Sequence, residues 1–164
     1  PRGTGSTVDW QTPFEEVENG RGRRLRNGDD IDMFSTGAIG TEVAAAADDL
    51  NKRGIQAAHY DMRFVKPLDE VLLHEVFSRF KDVITVEDGC IQGGMGSAVT
   101  EWAMEHGYAS KVARLGVPDR YIEHGTQAQL YKECGYDADA IVQKAADMCE
   151  ARANAASDSG MRIA

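Results

Sequence analysis

Three cysteines, Cys90, Cys134 and Cys149, are all that a chain of 164 residues contains. Their number is odd and they lie far apart, which argues against a disulfide framework and a zinc knuckle and favours free thiols in a reducing cytosol. No apolar run is long enough to span a bilayer, and no signal-peptide pattern is present. Basic residues are in deficit, with 18 Lys and Arg against 27 Asp and Glu, for a formal charge of −9. A general nucleic-acid or anionic-membrane binder needs the opposite balance. Nucleophile contexts are missing too: no serine sits in a GxSxG elbow and no cysteine has a recognisable base beside it.

What remains is the composition of a soluble globular domain, 42% hydrophobic and 27% charged. A chain of this size buries about 70% of the surface its unfolded form exposes, enough for one real core. Pro1 is not an initiator residue, and Pro1-Arg2-Gly3-Thr4-Gly5 reads as the middle of a loop. The chain is therefore expected to be a piece of something longer.

Residues 1–19 hold few apolar side chains (Val8, Trp10, Phe14, Val17) among turn formers and read as an interdomain linker. Next comes Gly20-Arg21-Gly22-Arg23-Arg24-Leu25-Arg26, closed by Asn27-Gly28. Its four arginines suggest a phosphate site, but a short basic strand at a sheet edge, charged against aggregation, is the commoner object. From residue 31 strands and helices alternate. Strands are expected at 31–36, 55–60, 83–86 and 112–117. Between them lie an alanine-rich helix capped by Thr41 and ending near Gly54, a helix capped by Asp69 with Leu72, Leu73, Val76, Phe77 and Phe80 inward, and a third with Val99, Trp102 and Ala103 inward. Thr126 and Gln129 form a capping box, and Asp137 caps a last helix with Ile141, Val142, Ala145 and Met148 as its inner stripe. A frayed tail is expected from about Ala151, so that 20–151 is the domain and 152–164 a flexible end.

This alternation implies an α/β fold: a three-layer α/β/α Rossmann-like domain with a mainly parallel five-stranded sheet. No helix separates the 20–26 strand from the next, so it should pair antiparallel at one edge.

The loop Gly89-Cys90-Ile91-Gln92-Gly93-Gly94-Met95-Gly96 lies between a strand and a helix, where backbone N–H groups can hold phosphate. Yet Val99 stands where the dinucleotide fingerprint needs its third glycine, Arg114 where an acid is expected, and no Walker lysine is present. Glu87 and Asp88 are candidates for an acid/base pair, although neighbours at a strand end point in opposite directions and would also repel a diphosphate. His59, His74, His106 and His124 show no metal spacing. His124, in a polar loop before a helix start, is the most interesting of them, with loop structure or subunit contact the leading reading. Arg2, flanked by glycine, offers a planar fork to phosphate or carboxylate, though local sequence alone makes it a solvated side chain.

The run Asp61-Met62-Arg63-Phe64-Val65-Lys66-Pro67-Leu68-Asp69 reads physically as a strand end, a proline-stiffened turn and a helix start. It resembles a signature of thiamine-diphosphate enzymes of the transketolase group, and within that group of 1-deoxy-D-xylulose 5-phosphate synthases. Pro1-Arg2-Gly3, Ser35-Thr36-Gly37, Val86-Glu87-Asp88, Gly93-Gly94-Met95-Gly96-Ser97, Leu115-Gly116-Val117-Pro118-Asp119 and His124-Gly125-Thr126 fall in matching order, covering residues 1–148. The resemblance implies a C-terminal accessory domain, and in the intact enzyme condensation of pyruvate with glyceraldehyde 3-phosphate for isoprenoid, thiamine and pyridoxal synthesis. It implies that thiamine diphosphate and Mg²⁺ are held by preceding domains, so that this chain has no catalytic, cofactor or metal residue of its own. It also implies that Arg2 grips the acceptor's phosphate, and that the domain packs on its preceding domains in a cytoplasmic homodimer. Phe64, Trp102 and Tyr121 are candidate contacts for that dimer. Plain transketolase or a 2-oxo-acid dehydrogenase β-subunit remains an alternative within the group. A free-standing nucleotide-binding module and a ligand-free oligomerisation domain remain alternatives outside it.

Overall fold

The computed structural model describes residues 16–160. Five strands, β1 (Arg23–Arg26), β2 (Ile31–Thr36), β3 (Ala57–Asp61), β4 (Asp82–Cys90) and β5 (Lys111–Val117), form one sheet in the order β1-β3-β2-β4-β5. All neighbouring pairs are parallel except β1 with β3, which is antiparallel as the missing crossover helix requires. The helices are α1 (Gly40–Lys52), α2 (Glu70–Arg79), α3 (Met95–Glu105), α4 (Gln127–Cys134) and α5 (Ala138–Gly160).

Strand alternation sorts the core into two layers. Ile31, Met33, Ile84 and Val86 pack with α1 and α5 on one face. Phe34, Tyr60 and Val83 pack with α2 and α3 on the other. The chain moves outward from β2 to β3, then crosses back over β2 to β4. Right-handed crossovers in opposite directions place the helices on opposite faces, giving the three-layer α/β/α arrangement that the alternation implies.

Local signals act where their residue types place them. Asp69 accepts from Leu72 N (3.0 Å) at the start of α2, Thr126 and Gln129 close a reciprocal capping box on α4, and Asp137 accepts from Ala140 N (3.1 Å) on α5. Three expectations are corrected. Thr41 does not cap α1. A 3-10 turn at Gly37–Ile39 runs straight into the helix, and Thr41 lies inside it, donating to Ala38 O (3.0 Å). The last helix does not fray at Ala151 but continues to Gly160. Arg152 holds this extension by donating to Asp30 O and to the buried Asp82 carboxylate, both at 2.8 Å. β4 also runs on through Glu87 and Asp88 to Cys90, beyond its expected end.

Candidate functional site

In an open parallel sheet the carboxyl ends of the strands form the ligand-facing rim. Here that rim is built from the ends of β2 and β3, the loop after β4, and the segment 118–126 after β5.

The Asp61–Asp69 run is held from several sides. Met62 N donates to Ser35 O (2.8 Å), and Arg63 N to Asp61 Oδ1 (3.1 Å). Phe64 N also bonds Met62 O, and the Lys66–Pro67 peptide is cis. Asp69 is buried and, besides capping α2, accepts from Gly22 N (3.0 Å) and pairs with Arg21 at 3.4 Å. Glycines at 20 and 22 let β1 approach this closely. A Cβ on Gly20 would lie 2.8 Å from Pro67, and one on Gly22 2.6 Å from Leu72.

Arg63 has φ 54, and is the non-glycine residue with positive φ among those described. Left-handed backbone at arginine is uncommon and persists where the surroundings over-determine it, a pattern that clusters at functional sites. Its guanidinium makes no ion pair with a described carboxylate. The arginines of the basic strand all do: Arg21 with Asp69, Arg23 with Asp61, Arg24 with Glu75, and Arg26 with Asp48. That strand is a charge-paired edge, not a phosphate cradle. Arg63 is thus a candidate that sequence reasoning passed over. The only signal for it was its place inside the run.

The glycine loop is filled by the protein itself. Buried Glu87 accepts from Met95 N (2.8 Å) and Gly96 N (2.9 Å), taking the α3 N-terminus where an anion would bind. A Cβ on Gly94 would fall 2.2 Å from Glu87 Oε2, so glycine there makes room for the carboxylate. Ser97 Oγ and Arg114 close the loop: Arg114 Nη1 donates to Ser97 Oγ (2.7 Å) and Ile91 O (3.1 Å). A diphosphate does not fit at this helix end.

Glu87 and Asp88 diverge, as adjacent strand residues must. Asp88 accepts from Tyr136 OH (2.9 Å) and Tyr131 OH (3.3 Å), with Gln127 and Leu130 beside them. Burial first, then this bond to Asp88, pushes the Tyr136 hydroxyl's pKa well above its ordinary value. The two carboxylates do not share a site.

The four histidines fall in three places. His59 is buried against Ser35 Oγ (2.8 Å), and burial, only partly opposed by Asp61, lowers its pKa to about 4. It is a neutral core histidine. His124 is exposed in the segment after β5, with no described side-chain partner. His74 and His106 meet on the outer surface of α2 and α3 at a ring separation of 5.2 Å. Of the three dimer candidates, Trp102 is core at 7% exposure, Phe64 is half-buried, and Tyr121 is 88% exposed. Arg2, and Trp10 and Phe14 of the linker, lie outside the described residues. Among the described residues no group of three His, Cys, Asp or Glu is placed to hold a metal ion, and no helix is long and apolar enough to cross a membrane.

A five-stranded sheet of this order, with a clamped loop after β3, defines a class. Residues 20–141 match the family described as transketolase, C-terminal domain, and the chain belongs to that family. It is 52% identical over 143 residues to a 1-deoxy-D-xylulose-5-phosphate synthase of Cytophaga hutchinsonii, covering 87% of this chain and 22% of that protein. A protein of the same description from Bacteroides thetaiotaomicron is 49% identical over 151 residues, 92% of this chain and 23% of the relative. Among solved structures, a split-gene transketolase described as an inactive beta4 tetramer superposes with TM-score 0.75 at 34% identity, over 81% of this chain and 43% of that one. The chain thus spans between a fifth and a quarter of the length of these two synthases.

Proposed function

We propose that this chain is the C-terminal accessory domain of a thiamine-diphosphate-dependent synthase. The whole enzyme condenses pyruvate with glyceraldehyde 3-phosphate, releasing CO₂ and forming 1-deoxy-D-xylulose 5-phosphate for isoprenoid precursors. Identity of about half to synthases of that description is the observation that carries this reading. The site supports the accessory role from the other direction. The N-terminus of α3, placed like an anion site, is filled by Glu87, and Asp88 is committed to two tyrosines. Thiamine diphosphate and Mg²⁺ then belong to other domains of a cytoplasmic enzyme, against which this one packs in a homodimer.

On this reading residues 1–19 link to the preceding domain, and Arg2 grips the phosphate of the aldehyde acceptor. Arg63, strained and without a described carboxylate partner at the sheet's carboxyl end, presents a second guanidinium on the same rim. Tyr121, 88% exposed, is an aromatic among the described residues left free for a contact between domains or subunits.

Calorimetry on the chain alone tests the accessory role. No heat of binding is expected for thiamine diphosphate, NAD or ATP, and micromolar affinity for any of them would overturn it.

A further inference from the structure

The outer surface of α2 and α3 carries a pair of exposed imidazoles, remote from the carboxyl-end rim of the sheet. His74 comes from α2, and His106 ends α3. Their ring centroids are 5.2 Å apart and their planes meet at 85°. Each ring is held through Nδ1. His106 Nδ1 lies 2.8 Å from Trp102 O, and a carbonyl only accepts, so this nitrogen carries the proton and Nε2 keeps its lone pair. His74 Nδ1 lies 2.7 Å from Tyr108 OH, which in turn reaches Ser78 Oγ at 3.4 Å. In the tautomer in which His74 Nδ1–H donates to Tyr108 and Tyr108 donates onward to Ser78, the Nε2 lone pair of His74 is open as well.

Both rings are braced further. His106 stacks on Trp102 at 4.1 Å, and His74 meets the same indole edge-on at 4.7 Å. A backbone carbonyl and a hydroxyl on Nδ1, with Nε2 left open, is how metal-ligating histidines are held. Two imidazoles on one tetrahedral ion, with metal–nitrogen bonds of about 2.0–2.1 Å, have ring centres about 5 Å apart.

The geometry points to a two-histidine site for a divalent transition ion on this face, His74 Nε2 and His106 Nε2 being its protein ligands and water filling the other positions. Imidazole pairs select Zn²⁺, Cu²⁺ and Ni²⁺ over Mg²⁺ and Ca²⁺. No third described His, Cys, Asp or Glu joins them, so the ion is a weakly held, exchangeable accessory.

Trp102 is a built-in reporter. The chain has two tryptophans, so Trp10→Phe leaves Trp102 alone. Titrating that variant with Cu²⁺ should quench its fluorescence saturably at one ion per chain, while Mg²⁺ leaves it unchanged. His74→Gln and His106→Gln should each weaken the binding tenfold or more. Absence of saturable quenching, or curves unmoved by both substitutions, would overturn the site. The unsubstituted chain gives an independent reading by NMR with Zn²⁺. Of the four histidines, only the ring signals of His74 and His106 should shift, and shifts at His59 or His124 instead, or none, would refute the assignment.

Discussion

Replacing Glu87 by alanine should unfold the corner on which β4, the glycine loop and α3 meet. The carboxylate is buried and accepts two backbone N–H groups, from Met95 at 2.8 Å and Gly96 at 2.9 Å. Hydrogen bonds to a charged acceptor contribute about 1.5–3 kcal/mol each, and a buried donor left unpaired costs about as much. The two donors share one carboxylate and are adjacent, so their contributions overlap. A loss of about 3–5 kcal/mol is expected for Glu87→Ala, and at about 3 °C per kcal/mol a fall in Tm of about 10–15 °C. Glu87→Gln keeps one accepting oxygen but turns an amide N–H₂ toward the second donor, and should fall between. Guanidinium unfolding followed by circular dichroism reads both. If Glu87→Ala lost less than about 1 kcal/mol, Glu87 would not be the group that caps α3.

Asp32 gives a prediction of the opposite sign. It is buried in β2 with no well-formed hydrogen bond to either carboxylate oxygen, and burial raises its pKa well above the ordinary value, with a poorly aligned Met33 N–H and then Arg79 opposing and Glu75 adding. The folded chain therefore keeps a proton that the unfolded chain releases near pH 4. This group's stability is fully present below that pH and is lost as pH rises toward the folded pKa. Asp32→Val should raise stability at neutral pH by about 1–3 kcal/mol and shrink its advantage toward pH 4; an equal gain at both pH values would contradict this. In the intact enzyme, Arg2→Ala should weaken use of a phosphorylated aldehyde far more than of its unphosphorylated analogue, read as kcat/KM for each. Equal losses would remove Arg2 from the phosphate site.

The features legible in the sequence are those whose partners are close along the chain. The period switch between strands and helices gives the sheet, and the missing crossover gives the antiparallel edge. Asp69, Asp137 and the Thr126–Gln129 pair each cap a helix three residues on. What escaped depends on distant or unusual partners. Glu87 caps α3 from eight residues upstream on a different element. Asp88 meets Tyr131 and Tyr136 more than forty residues later. The α5 extension has no apolar stripe past Met148, and its anchor, Arg152, finds Asp30 and Asp82 only in the fold. Thr41 misled because a threonine before an alanine-rich run resembles a cap, whereas the chain was already turning from Gly37. The left-handed backbone of Arg63 has no local cue, since residue preferences argue against it there.

On the proposed reading this chain supplies a synthase's C-terminal domain and not its chemistry. The direct measurement is a hybrid in which the chain replaces the matching segment of the Cytophaga hutchinsonii relative, assayed with pyruvate and glyceraldehyde 3-phosphate. Formation of 1-deoxy-D-xylulose 5-phosphate within tenfold of the parent rate is the predicted result. A hybrid that folds and assembles but forms none, or that instead transfers two-carbon units between sugars, would contradict it.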